Sequence, residues 1–197
     1  MVSNFASAIV FIIQTVVGLY LMFVLLRFLM QLSKVDYYNP ISQAIVRITN
    51  PPSLPLRILL PNIGRIDLAT LILGIILQLA IICSVMKISG GAIFSSIYLA
   101  WAIVGISAII LDIYFFALII SVISSWLAPY STHPALLLVN ELTNPLCEPA
   151  RRLIPPLGGL DFSIILVFMG ITLVDEYLVI KPIAFTLGIP HGLIIGL

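Results

Sequence analysis

The sequence contains few charged residues. Only 9% of its 197 residues are Asp, Glu, Lys or Arg, whereas 61% are apolar and the mean hydropathy is +1.24. Soluble domains carry about 25% charged residues. Because so few charges cannot coat a water-facing surface, we expect lipid to cover much of the protein. The net charge of +1 produces no overall field that would favour a nucleic acid or an acidic substrate.

Histidine and cysteine are also scarce, with two of each. His133 and His191 adjoin prolines outside the apolar runs, so they supply no pair of haem ligands at matching membrane depths. Two histidines cannot assemble the usual zinc sites. We expect no disulfide between Cys83 and Cys147, which are far apart in different contexts. Since no known catalytic motif is present either, the sequence predicts no enzyme activity, no catalytic or metal site and no cofactor.

Four apolar runs are long enough to cross a bilayer, which takes about 20 residues in a helix. The predicted spans are residues 5–27, 68–87, 99–128 and 162–181. Residues 88–130 exceed one ordinary span. They can form one long helix, or a short re-entrant segment at 93–103 followed by a span, so five membrane segments remain the alternative to four.

Lysine and arginine are distributed unevenly between the two sides of these spans. Only Lys87 and Lys181 follow the second and fourth spans. The first and third spans are followed by Arg27, Lys34, Arg47, Arg57, Arg65, Arg151 and Arg152. Because positively charged short loops stay in the cytoplasm, we predict that both long loops are cytoplasmic and both termini lie outside.

The chain contains an internal repeat. Residues 39–67 align without a gap onto residues 133–161, with ten identities in 29 positions and a constant offset of 94. The same offset relates the first span to the third and the second to the fourth. The fold class predicted is therefore an all-α polytopic transmembrane protein of two tandem parallel repeats, each a span, an amphipathic cytoplasmic loop and a span. The first repeat would be residues 1–90 and the second residues 91–197.

Each loop has the pattern of two short helices. Ile41, Ala44, Ile45 and Ile48 share one helical face, and we expect this helix to lie at the lipid headgroups and to end at the following Asn-Pro. A second short helix would begin near Pro55 and Pro149. An aspartate then precedes each following span, where its carboxylate can cap the helix N-terminus.

The repeated pattern T-N-P-x3-P-x-R-x-L-x-P-x2-G-x2-D resembles the repeat of the YggT family of small bacterial membrane proteins. The resemblance covers nearly the whole chain. Its motif residues are Asn50, Pro51, Pro55, Arg57, Pro61, Gly64 and Asp67 in the first loop, and Asn144, Pro145, Pro149, Arg151, Arg152, Pro155, Gly158 and Asp161 in the second. The first loop departs from the double arginine at Ile58, so we expect it to bind an anionic partner less strongly.

The resemblance implies a multi-pass protein of the bacterial cytoplasmic membrane. Relatives are associated with osmotic or ionic stress tolerance, and others, of the YlmG type, with cell division, plastid nucleoids or cytochrome b6 haem attachment. These varied associations favour an accessory or scaffold protein that engages lipids or a membrane complex through its loops. Membrane lipids, a protein complex or a second copy are the expected partners, and no sequence signal favours nucleic acid. The alternative is an ion or solute pathway.

Three sets of residues carry these hypotheses. The loop arginines either bind lipid phosphate or pair with the aspartates ten positions later and fix the loop. Asp112 is either a pathway group or part of a solvated outer cluster with Asp175, Glu176 and the outer lysines. Small residues at helical spacing, which let membrane helices approach closely, are expected to pack against the first span: Ala117, Ser121, Ser124 and Ala128.

Overall fold

The computed structural model describes residues 4–128, 130–154, 161, 163–190 and 192–194. These residues form an all-α protein, and their single β-bridge joins Ile63 to Ile66 in a turn. The elements in chain order are α1 (Asn4–Ser33), α2 (Pro40–Leu59), α3 (Leu68–Ile88), α4 (Ile97–Leu127), α5 (Pro134–Leu153), α6 (Ser163–Thr172), a π-helical segment (Leu173–Leu178) and α7 (Ile180–Thr186).

Four helical stretches are long and apolar enough to cross a membrane. They are α1, α3, α4 and the stretch Ser163–Thr186, which contains α6, the π-helical segment and α7. Four spans are therefore present among the described residues, as predicted. The region expected to hold one helix or two segments contains one long helix, α4, which begins at Ile97.

The two repeats have the same order of elements. The loop helices α2 and α5 begin at Pro40 and Pro134 and end at Leu59 and Leu153, so both bounds differ by 94 positions. Each has a polar N-cap, since the side chains of Asn39 and His133 accept a hydrogen bond from the backbone N–H two residues later. The predicted all-α fold of two tandem parallel repeats is confirmed.

The prediction of two short helices in each loop is wrong. The chain continues through Pro51, Pro52 and Pro55 as the single helix α2, and α5 likewise contains Pro145 and Pro149. A proline within a helix leaves the carbonyl four residues earlier without its N–H partner. Pro52 frees the carbonyl of Ile48 in this way, and the hydroxyl of Tyr20 on α1 donates to that carbonyl at 3.3 Å. A donor from another helix thus replaces the missing bond.

A segment after the last span completes the core. The described residues 187–190 and 192–194 return against α1, α3 and α4, where Leu193 and Ile194 are buried among the residues of these helices. Gln14 donates to the carbonyl of Gly192 at 2.9 Å, and the indole of Trp101 donates to that of Leu187 at 3.1 Å. The sequence pattern did not predict this return.

Candidate functional site

An arginine of α1 lies buried between α1 and α2. Arg27 is 2% exposed, although the distribution of charge suggested a loop residue. Its guanidinium donates to Thr49 Oγ1 at 2.9 Å, to Ser53 Oγ at 3.1 Å and to Asn50 Oδ1 at 3.1 Å. None of the described carboxylates forms an ion pair with it. Neutral oxygens from one face of α2 therefore hold this cation.

The face of α2 turned towards the protein is largely polar. Ser42, Thr49 and Ser53 are fully buried, whereas Leu54 is 52% and Ile58 85% exposed. Thr49 and Ser53 turn their hydroxyls towards Arg27 because a buried guanidinium needs acceptors. Ile45 is buried on the same face, and the apolar side chains at the end of the helix face the surroundings.

In the first repeat, the motif arginine pairs with the motif aspartate. Arg57 forms an ion pair with Asp67, whose side chain is fully buried. Asp67 also caps α3, since its carboxylate accepts from the N–H of Thr70 at 3.2 Å. Between them, Gly64 adopts a φ of +60°, which glycine tolerates at no steric cost. The aspartate thus fixes the end of α2 to the start of α3.

The second repeat has the same ion pair in a more open form. Arg151 Nε lies 2.6 Å from Asp161 Oδ2, and its Nη1 donates to Asn144 Oδ1 at 2.9 Å. The side chains are 41% and 19% exposed. Burial opposes ionisation of Asp161, but hydrogen bonds from Ser163 and Arg151 outweigh it and hold its pKa below the usual value. Both loops therefore contain the ion pair that the structural interpretation of the arginines predicts.

The two repeats differ where Arg27 lies. The residue 94 positions after Arg27 is Ser121, which is too short to reach the threonine of its loop helix. A cavity of about 540 Å³ lies here between α4 and α5. Its described lining residues are Ser121, Ser124, Ser125, Ala128, Ser131, Leu136, Asn140, Glu141, Thr143, Asn144, Arg151, Asp161 and Ile164.

The remaining motif residues of the second loop are placed as follows. Arg152 donates to Glu148 at 2.8 Å in an exposed i, i+4 pair. Cys147 occupies the position of Ser53, is buried, and has its pKa raised by burial, so it remains a packed thiol. Pro155 and Gly158 lie outside the described residues.

The small-residue stripe on α4 divides between two neighbours. Ala117 is buried against Phe28 and Leu29 of α1, as expected for packing on the first span. Ser121, Ser124 and Ala128 instead line the cavity beside α5. The hydroxyl of Ser121 donates to Asn140 Oδ1 at 3.0 Å. The small side chains therefore leave space there.

Asp112 lies in a second, acidic cavity beside the middle of α4. This cavity of about 280 Å³ is also lined by Asp175 and Glu176 of the π-helical segment. Glu176 pairs with Lys181, whereas no cation in the described part of the chain forms an ion pair with Asp112. Asp175 and Glu176, which we expected to cluster with Asp112, therefore line the same cavity, and Lys181 joins them through its ion pair with Glu176.

Two residues that the sequence motifs did not single out are central to these sites. Arg27 follows directly on the first apolar run, so the sequence predicts a loop charge there. Glu141 shows no identity between the repeats, because its counterpart in the first repeat is Arg47. Both positions differ in charge between the repeats, since Arg27 corresponds to Ser121 and Arg47 to Glu141, and this difference is the signal that indicates them.

These features define a polytopic membrane protein made of two copies of one helix–loop–helix unit, each with an arginine–aspartate pair joining the loop to the second span. The chain belongs to the CCB3/YggT family, whose sequence profile matches residues 6–87 and 100–181. The two matches begin and end 94 positions apart, which is the offset of the internal repeat.

Several relatives resemble the chain over most of its length. An uncharacterized protein of Pseudomonas aeruginosa is 46% identical over 193 residues, which cover 97% of this chain and 98% of that protein. An uncharacterized protein of Vibrio alginolyticus, from the region 3′ of proC, is 36% identical, with coverage of 90% and 97%. The uncharacterized protein YggT of Escherichia coli K12 is 36% identical, with coverage of 80% and 81%. No solved structure matches the chain significantly.

Proposed function

We propose that this protein is a non-enzymatic accessory or scaffold protein of the bacterial cytoplasmic membrane, which holds anionic lipid headgroups or a membrane complex against its loops. The observation that carries the proposal is the surface of α2, which buries Thr49 and Ser53 on Arg27 and exposes the apolar side chains of Leu54 and Ile58. Exposed apolar side chains at the end of a membrane span are stable in contact with lipid or another apolar surface.

The charge of the two loops favours the first as the one that binds anionic lipid. Residues 34–67 contain four basic and two acidic residues, whereas residues 128–161 contain two basic and three acidic ones. Arg47 and Arg65 are exposed, and neither forms an ion pair with a described carboxylate. Arg152 is already paired with Glu148. We therefore propose that the first loop is the stronger anion binder, which is the opposite of what the double arginine of the second loop predicts.

The proposed topology places both loops in the cytoplasm and both termini outside. It rests on the lysine and arginine bias of the short loops. The anionic lipids of a cytoplasmic leaflet attract basic residues near the membrane by about 1 kcal/mol each. The first loop would therefore be held on the leaflet by Arg47, Arg65 and Lys34.

Lipid retention tests this proposal. The protein would be reconstituted in mixed phosphatidylglycerol and phosphatidylcholine, extracted in mild detergent, and its bound lipids and co-purifying proteins identified by mass spectrometry. The double variant Arg47→Gln, Arg65→Gln should lose phosphatidylglycerol while its melting temperature stays unchanged. Arg152→Gln is the matched control and should retain it. Equal retention in all three proteins would contradict a lipid-binding role for the first loop.

An ion or solute pathway is the second candidate, because Asp112, Asp175 and Glu176 line a cavity beside the interrupted last span. Apolar packing separates this cavity from the one beside α5. Phe115 and Phe168 meet edge to face at 5.2 Å between ring centroids, and Leu118 is fully buried beside Ile164. A pathway on this side of α4 would have to open the apolar layer. Asp112 also borders a cavity of about 720 Å³ between α1, α4 and α5, whose described lining is apolar apart from Asp112, Gln14 and Thr15. Since neither route offers an ion a polar path, the packing favours the accessory function.

A further inference from the structure

The cavity between α4 and α5 corresponds to a filled position in the first repeat. There, the Arg27 guanidinium donates to Thr49, Ser53 and Asn50. The counterparts of Thr49 and Asn50 are Thr143 and Asn144, which keep their places on α5 and line the cavity. Thr143 is 2% exposed, and its hydroxyl donates to the carbonyl of Val139 at 3.0 Å, as that of Thr49 does to Ile45 at 2.7 Å. The acceptor that Thr49 offers to a guanidinium is thus also present on Thr143.

Hydrogen bonding in the cavity favours a ligand that donates. The hydroxyls of Ser124, Ser125 and Thr143 all donate to backbone carbonyls of their own helices. Their oxygens can still accept. Arg151, the one arginine among the described lining residues, already donates to Asp161 and Asn144.

The charge of the lining also favours a cation. Glu141, Asp161 and Arg151 line the cavity, so the formal charge of its described lining residues is −1. Asp161 is balanced by Arg151, whereas Glu141 forms no ion pair within the described chain. One Glu141 oxygen accepts from the backbone N–H of Asp36 at 2.9 Å. A carboxylate oriented by such a bond, in a cavity that also contains the buried hydroxyl of Thr143, suits a ligand with both positive charge and N–H donors.

We propose that this cavity binds a protonated amino or guanidinium group, which takes the place that Arg27 fills in the first repeat. The group belongs either to a small organic cation or to the ethanolamine headgroup of a lipid. The site goes beyond the proposed function, because it uses neither Arg47 nor Arg65 and does not require an anionic lipid. A negative result for the cation site therefore does not contradict lipid binding by the first loop, and a negative result for lipid binding does not contradict the cation site.

Ligand-induced stabilisation tests the proposal. A ligand that binds only the folded protein raises its melting temperature in a concentration-dependent way. In detergent, methylguanidinium chloride should raise the melting temperature more than tetramethylammonium chloride at the same ionic strength, because the latter has the charge but no N–H donor. An equal response to the two salts would overturn the proposal.

Two carboxylates of α5 provide a matched pair of variants. Glu141→Gln removes the unbalanced charge while keeping an oxygen for Asp36, and it should weaken methylguanidinium binding about tenfold or more. Glu148→Gln removes a carboxylate that pairs with Arg152 away from the cavity, and it should leave binding unchanged. If the two variants respond alike, Glu141 is not part of a cation site.

Ser121→Arg supplies the missing arginine from within the chain. It should reproduce the first repeat, raise the melting temperature and abolish the methylguanidinium response. A response that survives in a folded Ser121→Arg protein would contradict the proposal, and if the variant does not fold, the comparison of Glu141→Gln with Glu148→Gln decides.

Nanodiscs of phosphatidylethanolamine and of phosphatidylcholine distinguish a lipid headgroup from a free organic cation as the source of the bound group. Stabilisation by phosphatidylethanolamine that requires Glu141 indicates a lipid headgroup, and its absence alongside a methylguanidinium response indicates a free cation.

Discussion

Arg27 and Thr49 form a hydrogen bond of 2.9 Å that is buried on both sides, because the two residues are 2% and 0% exposed. Thr49→Val removes this acceptor from a buried guanidinium and should destabilise the protein. Thr143→Val is the matched control, since Thr143 also donates to its own helix but no described cation donates to it. Hydrogen bonds to charged groups are worth about 1.5–3 kcal/mol. We therefore expect Thr49→Val to lower the free energy of unfolding by about that amount more than Thr143→Val does. Reversible unfolding of both variants without added amine measures the difference, and equal losses would contradict it.

The acid sensitivity of the second loop should depend on Asp161. Its pKa is held below the usual value by Ser163 and Arg151 against the effect of burial. A depressed carboxylate pKa contributes stability that is fully present above the unfolded-state pKa of about 3.9 and is lost as the pH falls through the folded-state value. Asp161→Asn should therefore lower the melting temperature at pH 7, and the difference from the wild type should narrow below about pH 4. A difference that stays constant from neutral to acidic pH would contradict this role.

The proposed orientation can be tested by cysteine labelling. Polar exposed positions serve as reporters, and Asn62 in the first loop and Thr132 in the second are both exposed. In a background without Cys83 and Cys147, cysteines at Asn62 and Thr132 should resist a membrane-impermeant maleimide in intact cells and react once the membrane is permeabilised. A cysteine at the exposed Ser96, between α3 and α4, should react. The reverse labelling pattern would show that the loops lie outside the cytoplasm and that the proposed orientation is wrong.

Asp112 separates the two candidate functions. Asp112→Asn removes a charge that has no ion-pair partner among the described residues, so the variant should fold with equal or slightly higher stability. In an accessory protein, vesicles containing either protein should show the same potassium and proton flux as empty vesicles. A wild-type flux above that of empty vesicles, lost in Asp112→Asn and kept in Arg152→Gln, would establish the pathway instead.

Gly105 lies where the segment after the last span meets α3 and α4. A Cβ at this position would come within 2.5 Å of Ile194 Cγ2 and 2.8 Å of Gln78 Nε2. Gly105→Ala should therefore destabilise the protein by about 1–3 kcal/mol through overpacking. Gly170→Ala is the control, because no atom of the described residues lies within 4 Å of its Cβ position, and removing a helical glycine should stabilise the protein by about 0.5–1 kcal/mol. Thermal unfolding of both variants compares the two effects. Equal changes in melting temperature would show that the segment after the last span can move away from α4 at little energetic cost.

The features that the sequence predicts correctly depend on local or repeated patterns. Four spans follow from apolar length, and the caps at Asp67 and Asp161 follow from an aspartate placed directly before an apolar run. The repeat is visible because proline, glycine and charged residues recur at one offset. Each of these signals lies within a few residues or within an ungapped alignment.

The features that the sequence did not predict depend on contacts between distant residues. Local proline rules end α2 at Asn50, but the hydroxyl of Tyr20, 28 residues away from Ile48, satisfies the freed carbonyl. The burial of Arg27 requires acceptors that only the folded loop brings together. The cavity in the second repeat follows from the absence of that arginine, which an alignment of identities does not show.

The return of residues 187–190 and 192–194 against the core has a consequence for how the protein is made. Leu193 and Ile194 fill the core between α1, α3 and α4, and the carbonyls of Leu187 and Gly192 satisfy Trp101 and Gln14. The ribosome synthesises this segment after all four spans. The first three spans therefore enter the bilayer before the residues that complete their packing exist, and Gln14 must be tolerated there without its final partner. Membrane insertion and tertiary assembly are consequently separate stages for this chain, and a nascent protein halted after the fourth span would expose an unfinished interior to lipid and to quality-control proteases.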